Sequence, residues 1–132
     1  MTIFKAISSF GRRLENLLSI RRGVYAGVKE EIKQEFRGKT IEQIRQNNDK
    51  ILLDDELIVI KLRLPDRKQH LSKRDGYRLI YMVFKTQEIV VFLDIYPKRG
   101  PMQQLDIDDN TLASLIETYW KESENGTLGN FD

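Results

Sequence analysis

The stretch IVIKLRL, Ile58 to Leu64, decides how the rest of the chain is read. Ile58, Ile60, Leu62 and Leu64 alternate with Val59, Lys61 and Arg63. A period of two predicts a strand with one apolar face and one face that turns basic. Pro65 ends it, and the following PDRKQHLSKRD (65–75) is polar and basic, which predicts a loop. Gly76 opens a second strand, GYRLIYMVFK, apolar on both faces except at Arg78. A short turn near Thr86-Gln87 leads to a third, EIVVFLDIY (88–96). Strands so close in sequence predict an antiparallel meander. Those that are apolar on both sides belong at its centre, with helices covering one face.

Upstream, Phe10, Leu14, Leu17 and Leu18 fall at helical spacing, with Ser8 or Ser9 as the cap. A second helix is expected from about Gly23, where Val24, Val28, Ile32 and Phe36 recur four apart; Gly38 is its stop. Thr40–Asn47 reads as a turn or short helix capped by Thr40, with Ile41 and Ile44 facing inward. Asn47-Asn48-Asp49 then breaks the pattern. Downstream, Pro97-Lys98-Arg99-Gly100-Pro101 ends the sheet. Asp108 or Asp109 caps a last helix carrying Leu112, Leu115, Ile116 and Tyr119 on one side. The expected fold class is α+β: N-terminal helices packed on a small antiparallel sheet, with a C-terminal helix. One domain over residues 1–122 is expected, followed by a polar, structureless tail over 123–132.

At 132 residues, with 40% hydrophobic and 32% charged residues, the composition is that of a soluble globular chain. The absence of cysteine removes disulfides and thiolate metal sites. The single histidine, His70, cannot hold zinc without further ligands, so no metal or cofactor is expected. No apolar run is long enough to span a bilayer and no targeting segment is visible, so a cytoplasmic location is expected. The net charge of +2 is unevenly spread. Residues 61–99 carry ten Lys/Arg against four Asp/Glu, whereas residues 100–132 carry one against seven. The basic middle attracts polyanions. The acidic end repels them, and one reading has it shielding the basic patch in cis.

Three segments in order carry a resemblance: IVIKLR, then GYRLIYMV, then EIVVFLDIYPKR. They resemble the central strands of RelE-type toxins of the RelE/ParE superfamily, over roughly residues 8–105 and most strongly over 58–99. GYRLIY looks like that family's Gly-Tyr-Arg strand, and IYPKR like its final basic turn. The resemblance implies a type II toxin neutralised by a cognate antitoxin, cleaving mRNA, usually on the ribosome, without a metal. ParE-like relatives share the fold but inhibit DNA gyrase, so fold does not settle the target. A third reading is a degenerate relative that only binds RNA or its antitoxin. Two departures motivate it: Val59 stands where RelE has a further lysine, and GPMQQL (100–105) lacks the tyrosine that follows RelE's final arginine.

Lys61 and Arg63, two apart on a strand, leave the same face. If the meander pairs as expected, they converge with Arg78, Lys98 and Arg99. The resemblance implies catalytic roles for Lys61, Arg78 and Arg99. Arg78 and Arg99 are expected to clamp the scissile phosphate, because guanidinium forks match phosphate oxygens at two points. Lys61 is the candidate general base. Arg63 and Lys98 are expected to orient RNA. Arg67, Lys68, Lys73 and Arg74 form a phosphate-tracking loop, or simply a solvated one. With no tyrosine after Arg99, the general acid is open, and His70 is the candidate to fill it. Tyr81 or Tyr96 can stack on a base or pack the sheet. Absent the resemblance, the favoured reading of Arg78 is a pair with a core carboxylate such as Asp94. Tyr119 and Trp120 either meet the antitoxin or pack the last helix.

Overall fold

The computed structural model describes residues 1–46 and 49–131. The expected break at Asn47-Asn48 lies outside the described residues. The chain is α+β, with a six-stranded mixed open sheet and four helices among the described residues. Strand β1 (Ile3–Ala6) precedes α1 (Ser8–Leu18), α2 (Val28–Phe36) and α3 (Ile41–Arg45). Strands β2 (Lys50–Leu53), β3 (Leu57–Leu64), β4 (Tyr77–Phe84) and β5 (Ile89–Pro97) follow, then α4 (Asp109–Asn125) and β6 (Gly129–Asn130). The sheet order is β2-β3-β4-β5-β1-β6.

The central meander β3-β4-β5 is antiparallel, as the spacing predicts. The sheet as a whole is not: β1 runs parallel to β5, with Ile3 opposite Ile89 and Ala6 opposite Phe92. Strands β1, β2 and β6 are only two to four residues long, too short for a period of two to register in sequence. Residues 123–131, whose polar composition pointed to a structureless tail, finish α4 and add β6 against β1. The Phe131 ring packs edge-on to Phe92 at 4.8 Å.

One sheet face is covered by α1, α2 and α3. Phe10 stacks on Phe92, Phe36 meets Tyr81 edge-on, and the Tyr81 hydroxyl donates to the Ile44 carbonyl. Burial pushes the Tyr81 phenol above its ordinary range. The opposite face is also helix-covered, but only in part: Tyr119 of α4 packs on Phe84 at 5.9 Å. Strand β3 is therefore buried on both faces over Leu57–Ile60, and the simple apolar/basic alternation holds only from Lys61.

Helix starts differ from expectation in an informative way. Neither Ser8 nor Ser9 caps α1; Ile7 occupies the cap position without a side-chain bond. Instead Glu122 of α4 accepts from the Ser8 backbone N–H (2.9 Å) and from its hydroxyl. A carboxylate at this end satisfies orphan donors and favours the helix dipole. Helix α2 begins at Val28 rather than near Gly23, because Arg22 and Gly23 take left-handed conformations (φ 65° and 62°) and interrupt the helical path. Thr40 caps α3 in a capping box with Gln43, and Asp108 caps α4, both as read.

Candidate functional site

Register places the site. Arg63 lies opposite Arg78, and Arg78 opposite Tyr96. One step along, Lys61 lies opposite Ile80, and Ile80 opposite Asp94. Directly paired residues share a face. Lys61, Arg63, Arg78 and Tyr96 therefore share the face that α4 covers further along, and Lys98 and Arg99 follow at the end of β5. The five cations are close enough to feel one another. The Arg63 charge acts on Arg78, and Arg78, Lys61 and Arg99 all act on Lys98.

Their partners divide them into roles. Arg78 is buried, with its guanidinium spent on backbone carbonyls: Lys73 at 2.9 Å, Arg74 at 2.8 Å and Tyr77 at 3.1 Å. Burial first, and the Arg63 charge second, push its pKa down. It does not pair with Asp94, whose near cation is Arg13 at 4.0 Å. Burial raises the Asp94 carboxyl against the opposing pull of Arg13. Lys61 holds Asp106 at 3.0 Å. In that bridge Lys61 is a hydrogen-bond donor. Arg99 is mostly exposed and bonds Asp75 at 2.7 Å. Arg63 is exposed and has no hydrogen bond or ion pair among the described residues.

Lys98 donates to the Leu105 carbonyl, and burial followed by the Arg78 charge pushes its ammonium below the usual lysine range. Sequence reading passed over Asp106. Its carboxylate also meets the Tyr96 hydroxyl at 3.4 Å and accepts from the Ile107 N–H at 2.8 Å. The Lys61 hydrogen bond, then the Ile107 N–H, hold that carboxyl below the ordinary range. Burial first and Asp106 second push the Tyr96 phenol up. Tyr96 is fully buried and cannot stack on a base in this arrangement. The only signal for Asp106 was its place in the acidic third of the chain.

The loop between β3 and β4 splits its basic residues. Lys73 and Arg74 remain exposed, their carbonyls held by Arg78. Arg67 turns away to α2, where it bonds Glu31 and Gln34. The stem of Lys68 lies over Gly27. His70 ends a short 3-10 turn in a left-handed conformation (φ 58°), exposed, with no contact joining its ring to the cations among the described residues.

Two buried anchors, both missed by sequence, set the frame. Asp66 accepts from the Tyr77 hydroxyl (2.7 Å) and the Gln69 amide (2.6 Å), pinning the start of the loop. Burial and then Asp66 push the Tyr77 phenol up. Tyr25 donates to the Arg99 carbonyl (2.8 Å) and accepts from the Met102 N–H (3.1 Å), pinning the segment after β5. Glycine is required in both segments. A Cβ at Gly76 would stand 2.1 Å from the Leu64 oxygen, and one at Gly100 (φ 87°) 2.6 Å from the Tyr25 hydroxyl. Among the described residues no cluster of three His, Cys, Asp or Glu could hold a metal, and no helix is long and apolar enough to cross a membrane.

Compared with protein-family models, curated proteins and solved structures, the chain finds no match. The site therefore rests on its own geometry: five cations gathered at one end of the sheet, exposed at Arg63 and Arg99 and buried at Arg78, with the Asp106 carboxylate among them.

Proposed function

We propose that this surface binds the RNA backbone and that the chain is a metal-independent endoribonuclease of the toxin type, acting on mRNA on the ribosome and held in check by a cognate antitoxin. The observation that carries the proposal is the gathering of Lys61, Arg63, Arg78, Lys98 and Arg99 at the end of the sheet where β3 finishes, β4 begins and β5 finishes. The chain-level resemblance in GYRLIY and IYPKR supplies the reaction; the geometry supports the polyanion.

In this reading the roles shift within the set. The exposed forks of Arg63 and Arg99 grip phosphate oxygens. Arg78 sits beneath as a fixed charge and holds the loop. An incoming phosphate takes the place of the Asp106 carboxylate, and Lys61, in its neutral form after giving a proton to water, accepts the 2′-hydroxyl proton. The 2′-oxygen attacks phosphorus and the bond to the 5′-oxygen breaks. The products are a 2′,3′-cyclic phosphate and a 5′-hydroxyl. Lys98, already pushed towards deprotonation, is the proton donor to the leaving oxygen.

The test is induction of the gene followed by primer extension on mRNA. New 5′ ends and translational arrest are expected, and both should disappear with Lys61→Ala. A second reading, RNA binding without cleavage, is favoured by one observation: Lys61 and Arg78 are both already engaged, by Asp106 and by carbonyls. RNA binding with no new 5′ ends selects it. Loss of DNA supercoiling activity with translation intact selects the gyrase-inhibitor alternative and overturns both.

A further inference from the structure

On the opposite side of the sheet a cavity of about 280 Å³ opens between α2 and the C-terminal strand. Its walls are the rings of Phe4, Phe36, Phe92 and Phe131, with Ile32 among them. The rings meet one another closely: Phe4 and Phe36 at 5.5 Å, Phe36 and Phe92 at 5.4 Å, Phe92 and Phe131 at 4.8 Å. The cavity therefore has walls set by mutual packing. Its lip is cationic. Lys33 and Arg37 line it, and the Lys29 ammonium lies 5.9 Å from the Phe131 ring centroid. Lys29 and Lys33 stand four apart on α2, on one side of the helix, and Arg37 follows just past its end. Arg37 is partnered by Glu30 at 3.5 Å, whereas Lys33 and Lys29 have no carboxylate partner among the described residues.

An aromatic concavity open to water gains by admitting an apolar group, and a row of cations at its mouth selects an anion. The volume lies at the small end for ligand sites, too small for a helix or a nucleotide chain. We propose that this cavity binds a small amphipathic carboxylate, with an apolar body among the phenylalanine rings and its carboxylate at Lys33. The register separates it from the cationic surface. Phe4 and Phe92 face α1 and α2, and Lys61 and Arg78 face the other way. The proposal thus stands apart from RNA binding.

The experiment is a titration of the full chain with octanoate, followed by backbone amide NMR, with 1-octanol and acetate as controls. Octanoate should saturate below about 1 mM, shifting Phe4, Lys33, Arg37 and Phe131. Octanol should bind at least about fivefold more weakly and acetate not at all. Lys33→Glu, at an exposed position, should weaken octanoate about fivefold and leave octanol unchanged, with an unaltered urea midpoint showing the fold intact. Failure of octanoate to saturate, shifts confined to other residues, or equal binding of octanoate to the Lys33→Glu protein overturns the proposal. An acidic, apolar peptide that binds where octanoate does not assigns the cavity to a protein partner instead.

Discussion

Arg78 shows what a charged side chain costs and gains inside a sheet. Desolvating a guanidinium is expensive unless its donors are met, and here three carbonyls meet them. Arg78→Ala strands those carbonyls and should destabilise the chain by about 1–3 kcal/mol in urea denaturation. On the proposed function, loss of RNA cleavage in that variant would therefore report the loop as much as the phosphate. Arg63→Ala, at an exposed side chain with no hydrogen bond or ion pair among the described residues, is the cleaner probe. It should weaken RNA binding while leaving stability within about 0.5 kcal/mol. Asp106 gives a pH test. Its folded pKa lies below the ordinary 3.8, so its contribution is present above 3.8 and fades as pH falls through the lowered value. The side chain is largely exposed, so the effect is small, about 0.5 kcal/mol or less. Wild type and Asp106→Asn should differ at pH 7 in urea and converge below the depressed value. In RNA binding the sign reverses: Asp106→Asn removes the competing carboxylate and should bind RNA more tightly at pH 7.

At the scale of elements, the site is built by tethers between segments distant in sequence. The segment after β5 is held by Tyr25, some seventy residues upstream. Tyr25→Phe removes both hydrogen bonds at a cost of about 1–2 kcal/mol. It should also weaken RNA binding without altering any cation, by freeing Arg99 and Lys98; comparing Kd with thermal stability separates the two effects. Helix α1 takes its cap from α4. Glu122→Ala leaves the Ser8 N–H without its partner and should cost about 1 kcal/mol, read as a lowered urea midpoint. A Ser8-capped helix independent of α4 would show no such change.

For the whole molecule, what matters is which half of which face stays open. Both faces carry helices: Tyr119 of α4 packs on Phe84 at one end of its face, and the cations collect at the other end, around Arg63 and Arg78. On the proposed function, this surface binds RNA through counterion release. If Arg63, Arg99, Lys61 and Lys98 each meet a phosphate, log K for single-stranded RNA should fall against log salt with a slope of about −3. A slope near zero would mean that the surface does not meet the backbone. Removing residues 127–132 deletes β6 and the Phe131 ring from the aromatic cluster, and should lower stability by about 2–4 kcal/mol in urea denaturation.

The sequence by itself determined the meander. Strands 57–64, 77–84 and 89–97 follow from a period of two and from runs apolar on both faces, because burial acts on residues one and two apart. The same local physics located α1, α3 and α4, the caps at Thr40 and Asp108, and the convergence of Lys61, Arg63 and Arg78 on one face. Only the tertiary structure decided what those cations hold. Arg78 on carbonyls, Lys61 on Asp106, Arg67 on Glu31 and the cap of Glu122 on α1 all join residues separated by loop geometry, which no short-range pattern encodes. The parallel β1 and the closing β6 belong there too. Strands of four and two residues have too little pattern of their own, and their pairing is set by the sheet edge already waiting for them.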